Sequence, residues 1–173
     1  GLFGRVPGGY GYTNEYQPFR IGTAADWKSV AVGRTHAVAI KTDGTLWAWG
    51  SNYQGQIGDG TTTQRLTPIQ IGAGVLGWTA VAVGEYHSLA VATDGTLWTW
   101  GINGTGALGN GTLVSSSVPI QVATTISANV TGGQSHSLAI RQDGTLWAWG
   151  FNTYGQLGDG TSVLRKSPIE VGE

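Results

Sequence analysis

A sequence motif of eight residues occurs three times along this chain, and this repetition limits the possible folds more than any other feature. Residues 43–50 read DGTLWAWG, residues 94–101 read DGTLWTWG, and residues 143–150 read DGTLWAWG again. The copies begin about 50 residues apart, which is typical of arrays built from one repeated supersecondary unit. We expect residues shared by all copies to belong to the scaffold, and positions that differ between copies to carry function.

Each repeat unit predicts β-strands rather than helices. In the first unit, the apolar runs within residues 30–40 alternate small with large side chains, which is the period of a strand. Asp43 and Gly44 lie between two apolar runs and predict a two-residue hairpin turn. The strand that follows carries Trp47 and Trp49, whose spacing places both indoles on one face.

A proline opens the fourth predicted strand of every unit. Pro68, Pro119 and Pro168 follow the aspartate of the turn at the same distance in each copy. Proline is tolerated at the first residue of an edge strand, where no partner needs the missing N–H. Four short antiparallel strands in a unit of this length are typical of a propeller blade. The sequence therefore predicts an all-β fold of β-propeller blades with four antiparallel strands each.

We predict three full repeats and a partial one. The full repeats occupy residues 27–77, 78–126 and 127–173, and residues 1–26 match only the back half of a blade. Because a ring needs at least about four blades, this array is an incomplete ring unless it assembles with further copies. Three arrangements stay open: a part of a longer repeat array, self-association with further copies, and an open arc.

Composition excludes several classes of function. The formal net charge is −1 and only 11% of residues are charged, so the chain has no basic surface for a nucleic acid. No apolar run approaches the ~18 residues of a membrane helix, so we expect no membrane span. The chain has no cysteine, which excludes disulfides and thiolate metal sites.

Histidines and aspartates recur in every unit and are the candidate metal-binding or catalytic residues. His36, His87 and His136 occupy the same place in separate blades, so we expect them to lie too far apart to bind one metal ion. We expect each to bond instead to backbone at a turn. The aspartates of the Asp-Gly turns are expected to cap local backbone, whereas acid–base catalysis needs two carboxylates in one cleft. We predict a protein without a metal, a cofactor or enzymatic activity.

The full pattern resembles one known repeat family. Gly-x-x-His-[Ser/Ala]-[Leu/Val]-Ala is followed by Asp-Gly-Thr-Leu-Trp-Ala-Trp-Gly-x-Asn and by Gly-Gln-Leu-Gly-Asp-Gly-Thr before the proline. This order is similar to the regulator of chromosome condensation repeat family over nearly all of residues 27–173. The resemblance implies a β-propeller, commonly of seven blades. Family members act as nucleotide exchange factors, secreted enzyme inhibitors, ultraviolet photoreceptors and adaptors, so the fold implies no single function.

Divergence between the repeats gathers on one predicted face. In an up-and-down sheet, the first and third turns lie on one side and the Asp-Gly turn lies on the other. The first and third turns differ between repeats, and loops on a rigid scaffold commonly carry binding. Tyrosines among them add contact area suited to protein interfaces. The predicted partner-binding residues are Arg34, Thr35, Tyr53, Glu85, Tyr86, Gln134, Ser135 and Tyr154.

These features predict a non-catalytic protein-binding repeat module, extracellular or on a cell surface, that recognises a protein partner through variable loops on one face. One alternative is a structural subunit of a homo-oligomeric ring or fibre, built by blade–blade or strand pairing between chains. A second alternative, implied by the family resemblance alone, is a guanine nucleotide exchange factor.

Overall fold

A computed structural model of the chain describes residues 20–72, 74, 77–123 and 126–172, which form twelve β-strands and no helix. The strands are β1 (Trp27–Val32), β2 (His36–Lys41), β3 (Leu46–Gly50), β4 (Arg65–Ile71), β5 (Trp78–Val83), β6 (His87–Ala92), β7 (Leu97–Gly101), β8 (Ser116–Ala123), β9 (Ile126–Gly132), β10 (His136–Arg141), β11 (Leu146–Gly150) and β12 (Arg165–Val171). Nothing in this described part of the chain has the length and apolarity of a membrane-crossing helix.

Each group of four consecutive strands forms one antiparallel sheet. The three sheets have the orders β1-β2-β3-β4, β5-β6-β7-β8 and β9-β10-β11-β12. Strand β5 lies between β1 and β9, so the sheets are stacked in sequence order. This arrangement confirms the predicted blades of four antiparallel strands, and the three sheets do not close a ring. The predicted partial repeat at 1–26 lies largely outside the described residues, and the predicted repeat limits stay predictions.

The Asp-Gly hairpin is one residue longer than predicted. In the first sheet Ile40 pairs with Leu46. Gly44 N donates to Lys41 O at 2.9 Å, and Lys41 N donates to Thr45 O at 3.0 Å. The loop therefore has three residues rather than two, because Gly44 adopts a φ of 80° and forms a bulge after the tight turn. The other two hairpins make the equivalent bonds.

The repeated proline lies inside the fourth strand and not at its start. Strand β4 begins at Arg65, before Pro68. Where β3 pairs with β4, Ala48 faces Ile69 but Gly50 faces Arg65, so the register shifts around the proline. An edge strand with such an irregularity accommodates a residue that lacks an N–H. The predicted edge position is confirmed, whereas the predicted strand start is wrong.

Every sheet has an aliphatic face and a tryptophan face. The register places Ile40 and Leu46 on one side of the first sheet and Trp49 on the other. The aliphatic face of the first sheet packs against the tryptophan face of the second, where Trp78 and Trp100 are buried. Burial of each such side chain contributes about 1.5–3 kcal/mol, so these interfaces form the core. The second interface repeats the arrangement with Leu89, Val91, Leu97 and Trp149.

Candidate protein-binding face

The first turn of each sheet and the loop after its third strand lie at the same end of the sheet. Ser51 N donates to Thr35 O at 2.9 Å in the first sheet, and Ile102 N donates to Tyr86 O at 3.0 Å in the second. The third sheet makes the equivalent bond. We call this end of the molecule the loop face. It consists of residues 33–35, 84–86 and 133–135 together with the loops 51–64, 102–115 and 151–164.

The Asp-Gly turns at the opposite end are closed on themselves. Asp43 Oδ1 accepts hydrogen bonds from Thr45 N at 2.9 Å and from Thr45 Oγ1 at 2.7 Å. Thr45 Oγ1 in turn accepts a bond from Trp47 Nε1 at 2.8 Å. The bonds from Thr45 lower the pKa of Asp43, which keeps this carboxylate charged and acceptor-only at neutral pH. Asp94 and Asp143 make the same contacts, which confirms that these aspartates cap their turns.

One buried asparagine fixes the backbone of each long loop on the loop face. The side chain of Asn52 is fully buried. Its Nδ2 donates to Asp59 Oδ1 at 3.1 Å and to Thr61 O at 3.0 Å, while its Oδ1 accepts a bond from Ile57 N at 2.9 Å. Asn103 and Asn152 repeat these contacts. The amide therefore ties the two sides of the loop together, and in the first loop residues 53–54 and 60–63 are exposed.

An ion pair that was not predicted from the sequence supports two of the three loops. Arg65 Nε donates to Asp59 Oδ2 at 2.6 Å, and Arg165 binds Asp159 in the same way at 2.7 Å. Burial raises the pKa of Asp59, but the hydrogen bonds that this carboxylate accepts outweigh burial and lower it. The second repeat has Asn110 at the aspartate position, and the strand there begins with a serine. Both members of the pair are therefore replaced together.

The predicted residues of the first turns form a row across neighbouring sheets. Arg34 Nη1 lies 2.5 Å from Glu85 Oε1, and Glu85 N donates to Gln134 O at 3.4 Å. The side chain of Arg34 is 68% exposed, whereas that of Glu85 is 10% exposed. The hydrogen bond from Arg34 lowers the pKa of Glu85, so the pair stays charged at neutral pH. Of the neighbouring predicted residues, Thr35, Tyr86 and Ser135 are half-buried.

The two predicted tyrosines of the long loops are largely exposed. Tyr53 is 73% exposed and Tyr154 is 87% exposed. Tyr154 packs edge-on against Phe151, with ring centroids 6.0 Å apart. The second repeat has Gly104 and Thr105 at these positions, so its loop presents no aromatic ring. The structure thus places one tyrosine on the loop of the first sheet and one on the loop of the third.

His36 and His87 each contact a serine of the neighbouring sheet, so the prediction that they bond to backbone at a turn is wrong for these two residues. His36 Nε2 lies 2.9 Å from Ser88 Oγ, which donates to Gln56 O at 2.8 Å. Since the serine proton is committed to that carbonyl, the imidazole must carry its proton on Nε2 and donate it. Trp100 Nε1 donates to the same carbonyl at 2.9 Å. Desolvation lowers the pKa of His36 to about 4.

The same contact, with the same atoms, joins the second sheet to the third. His87 Nε2 lies 2.9 Å from Ser137 Oγ, and both Ser137 Oγ and Trp149 Nε1 donate to Ala107 O, at 2.9 and 2.8 Å. Burial lowers the pKa of His87 to about 3. Within the described ranges, no three histidine, aspartate or glutamate side chains are grouped closely enough to hold a metal ion. We call each of these arrangements a histidine–serine relay.

Comparison with protein families places the repeats in one family. A family model described as the regulator of chromosome condensation (RCC1) repeat matches residues 43–91, 94–140 and 143–173. A second model of the same repeat matches residues 27–56, 78–107 and 126–156. Together the matches cover most of the chain and fall on the strands of all three sheets.

Individual proteins resemble this chain over part of their length. Protein RCC2 homolog of Danio rerio is 38% identical over 103 residues, covering 57% of this chain and 21% of that protein. Ultraviolet-B receptor UVR8 of Arabidopsis thaliana is 38% identical over 100 residues, covering 57% of this chain and 22% of that protein. The chain thus matches about a fifth of these relatives.

One solved structure shows the same fold. Prp20p from Saccharomyces cerevisiae superposes with a TM-score of 0.76 at 24% identity, over 86% of this chain and 39% of that one. Since the identity is low, this likeness supports the fold alone. With three matched repeats, three four-stranded sheets and these relatives, the chain belongs to the regulator of chromosome condensation (RCC1) repeat family and is a propeller-type repeat module.

Proposed function

We propose that this chain is a non-catalytic protein-binding module and that its partner binds the loop face. The observation that carries this proposal is the exposure of Tyr53 and Tyr154 on loops whose backbones are held by buried asparagines. Large aromatic side chains on a fixed backbone lose little conformational entropy when they bind, so they favour affinity. Tyrosine is also among the residues that dominate the binding energy of protein interfaces.

Charged and polar groups flank the tyrosines in a way that suits the rim of an interface. Arg34 is largely exposed although it is paired with Glu85, so its remaining N–H donors stay available to a partner. Gln134 is exposed at the end of the same row. A polar, solvent-accessible rim around aromatic contacts is the usual arrangement of such interfaces. The expected partner surface therefore has apolar contacts for the tyrosines and acceptors for Arg34.

Proteins of the same fold give this proposal general support. The solved structure of Prp20p was described together with its binding properties to Gsp1p and histones, and another structure holds yeast RCC1 (Prp20) bound to Kap60. These partners are those of the yeast protein, of which this chain covers 39% and 37% in the two structures. They are examples of a propeller of this family that presents surfaces to other proteins.

Photo-crosslinking from the two ends of one sheet tests the proposal. A photoreactive amino acid replaces Tyr154 on the loop face in one variant and Gln142, which is exposed in the opposite turn of the same sheet, in the other. We expect adducts with a defined partner from position 154 but not from position 142. Adding Tyr53→Ala to the first variant should weaken the adduct without unfolding the chain. Equal adducts from both positions, or no effect of Tyr53→Ala, contradict the proposal.

Other sequence-based expectations stay predictions. The extracellular or cell-surface location is tested by fractionation of the source cells. Nucleotide exchange is tested by measuring nucleotide release from a small GTPase, which the binding proposal expects to be unchanged by this chain. Self-association into a ring or fibre is tested by light scattering over a range of concentrations.

A further inference from the structure

The long loop of the second repeat contains the two asparagine–glycine pairs of this chain. The pairs are Asn103–Gly104 and Asn110–Gly111, and the long loops of the other two repeats have none. Asparagine followed by glycine is the pair most prone to deamidation, because the missing Cβ lets the glycine nitrogen approach the side-chain amide carbon. These pairs are therefore the candidate sites of deamidation in this chain.

Deamidation at such a pair proceeds through a cyclic imide. The backbone nitrogen of the glycine loses its proton to water and bonds to Cγ of the asparagine. The Cγ–Nδ2 bond breaks, and the nitrogen takes up a proton from water and leaves as ammonia. A second water then opens the imide at one or the other carbonyl, which gives aspartate or isoaspartate. The reaction thus favours a polarised amide carbonyl, an Nδ2 that is free to leave, and access for water.

The side chain of Asn110 meets these requirements. Its Oδ1 accepts hydrogen bonds from Thr112 N at 3.1 Å, from Thr112 Oγ1 at 2.9 Å and from Asn103 Nδ2 at 3.0 Å. Donors that converge on one oxygen polarise the amide and stabilise the negative charge that this oxygen gains when Cγ is attacked. Among the described residues, no acceptor bonds to Asn110 Nδ2. Gly111 and Thr112 are exposed, so ammonia is able to leave and water to enter.

The side chain of Asn103 precedes a glycine as well, but its environment is the opposite. It is fully buried. Its Nδ2 donates to Asn110 Oδ1 at 3.0 Å, to Thr112 O at 3.0 Å and to Val114 O at 3.1 Å, and its Oδ1 accepts a bond from Leu108 N at 2.9 Å. The amide must break these buried bonds before it can react, and each buried group left without a partner is costly. The fold therefore protects Asn103 and leaves Asn110 open to reaction.

One backbone bond restrains the reaction at Asn110. Gly111 N, the atom that must attack, donates to Lys166 O at 2.9 Å and so joins the second loop to the third sheet. This bond has to open first. Opening of an exposed loop segment requires much less free energy than unfolding of the buried anchor at Asn103. We therefore expect reaction at Asn110 in the folded chain to be slower than in the unfolded chain, but still much faster than reaction at Asn103.

The other two loops show that a carboxylate fits at this position. Asp59 and Asp159 occupy the place of Asn110, and the Oδ1 of each accepts the equivalent bonds from a threonine and an asparagine. In those loops an arginine binds the other carboxylate oxygen, whereas the second repeat has Ser116 at the arginine position. Aspartate at position 110 would therefore keep the shape of the loop and add a negative charge that lacks the arginine of the other repeats.

We propose that Asn110 is a site of spontaneous deamidation, through which the loop face of the second repeat gains a negative charge. Gly111 supplies the attacking nitrogen, Thr112 and Asn103 polarise the amide, and water is the co-reactant. Since the chain does not reverse the reaction, the charge accumulates with the age of the molecule. The reaction takes place in the chain alone, so it is independent of the binding function proposed for the loop face.

Incubation of the chain at mildly alkaline pH tests the proposal, once in the folded state and once in guanidinium chloride. Peptide mapping by mass spectrometry follows the conversion of amide to carboxylate at Asn110 and Asn103. In the folded chain we expect Asn110 to react at least about tenfold faster than Asn103, because only local opening is needed. In denaturant the two residues should react at similar rates. Equal rates at both residues in the folded chain would overturn the proposal, as would an unchanged Asn110 over the time in which the unfolded chain is fully converted.

Two variants at the same position provide the controls. Asn110→Gln should abolish the acidic species that ion-exchange chromatography separates from the aged folded chain, because the longer side chain does not form the same cyclic imide readily. Asn110→Asp should fold like the original chain, as Asp59 and Asp159 indicate, and should elute with the aspartate product. An acidic species that forms in Asn110→Gln at the original rate would assign the reaction to another residue and contradict the proposal.

Discussion

The interfaces between sheets and the loop face are built from the same repeats, but they differ in what the repeats share. At both interfaces the same atoms meet: a histidine Nε2, a serine Oγ, a carbonyl and an indole N–H, at 2.8–2.9 Å. On the loop face, Arg34, Glu85 and Gln134 occupy one equivalent position with three different chemistries. Identity between repeats thus marks packing, and difference between repeats marks the surface where a partner is expected.

Burial explains why the repeats differ less at the interfaces than on the loop face. A buried polar group that loses its partner costs about 1–3 kcal/mol, so a change at one member of the histidine–serine relay is strongly penalised. Substitutions at exposed positions away from such contacts usually change stability by less than about 0.5 kcal/mol. The loop face is therefore able to vary while the interfaces remain constant.

The largest effect is expected at an interface tryptophan. Trp100→Ala removes a fully buried side chain and its bond to Gln56 O, so the free energy of unfolding should fall by about 3–5 kcal/mol. Trp100→Phe is the matched control, since it keeps most of the apolar contact and loses only the N–H. Denaturant unfolding measures both. If Trp100→Ala lowers the free energy of unfolding no more than Tyr154→Ala does, the proposed difference in stability between the interfaces and the loop face is contradicted.

Acidification should weaken the interfaces before it affects the loops. Burial holds the pKa of His36 at about 4 and that of His87 at about 3, below the ordinary value near 6.5. In this pH range the two histidines are protonated in the unfolded chain but stay neutral in the folded chain. The free energy of unfolding therefore falls as pH drops from about 6.5 towards 4. The expected slope is on the order of 1 kcal/mol per pH unit for each of these histidines.

Urea unfolding between pH 7.5 and 4.5 checks this dependence. His87→Gln should remove the part of the slope that His87 contributes, because glutamine does not titrate, whereas His36 and the half-buried His136 keep their parts. Carboxylates whose pKa values the fold lowers add to the slope only near the lower end of this window, where the unfolded carboxylates begin to bind protons, so the slope between pH 6.5 and 5.5 reports the histidines. A stability that stays flat from pH 6.5 to 4.5 would mean that the imidazoles are not buried as described.

A smaller effect is expected where the loop meets its supporting ion pair. Asp59→Asn alone leaves Arg65 without its carboxylate, and we expect a loss of about 1 kcal/mol. Adding Arg65→Ser gives the first repeat the residues that the second repeat has at these two positions. The double variant should lose less stability than the sum of the single changes, by about 0.5–1 kcal/mol. Thermal unfolding of the four proteins measures this coupling. Strict additivity would show that the paired replacement in the second repeat has no structural cause.

The smallest effect on stability is expected for the exposed tyrosines. Tyr53→Ala and Tyr154→Ala should each change the free energy of unfolding by less than about 0.5 kcal/mol, because both side chains are mostly in water. The same substitutions are expected to weaken partner binding, which the crosslinking experiment detects. A large loss of stability in either variant would assign these residues to the scaffold.

Much of the fold follows from local pattern in the sequence. The alternation in residues 37–40, the turn at Asp43 and the paired indoles of Trp47 and Trp49 each predict their strand or turn, because side chains alternate across a strand. Details that depend on the conformation of the backbone could not be predicted from this alternation. The φ of 80° at Gly44 lengthens the hairpin by one residue, and Pro68 lies at a register shift within a strand.

The partners of buried polar groups were harder to predict because they lie far apart in the sequence. His36 and Ser88 are 52 residues apart and belong to different sheets, so no local pattern joins them. Comparison of the repeats nevertheless contained a signal for one such contact between polar side chains. Aspartate changes to asparagine at position 110 where arginine changes to serine at position 116, and such paired replacement indicates contact. The role of the loop face itself remains a prediction.

A double-mutant cycle between His36 and Ser88 tests most directly that the sheets are held together by the histidine–serine relay. The cycle compares the original chain, His36→Phe, Ser88→Ala and the double variant by denaturant unfolding, with His36 and Ser137 as a control pair on sheets that do not share this contact. We expect a coupling of about 1 kcal/mol or more between His36 and Ser88, and additivity within about 0.5 kcal/mol for the control pair. Additive effects for His36 and Ser88 would contradict the account.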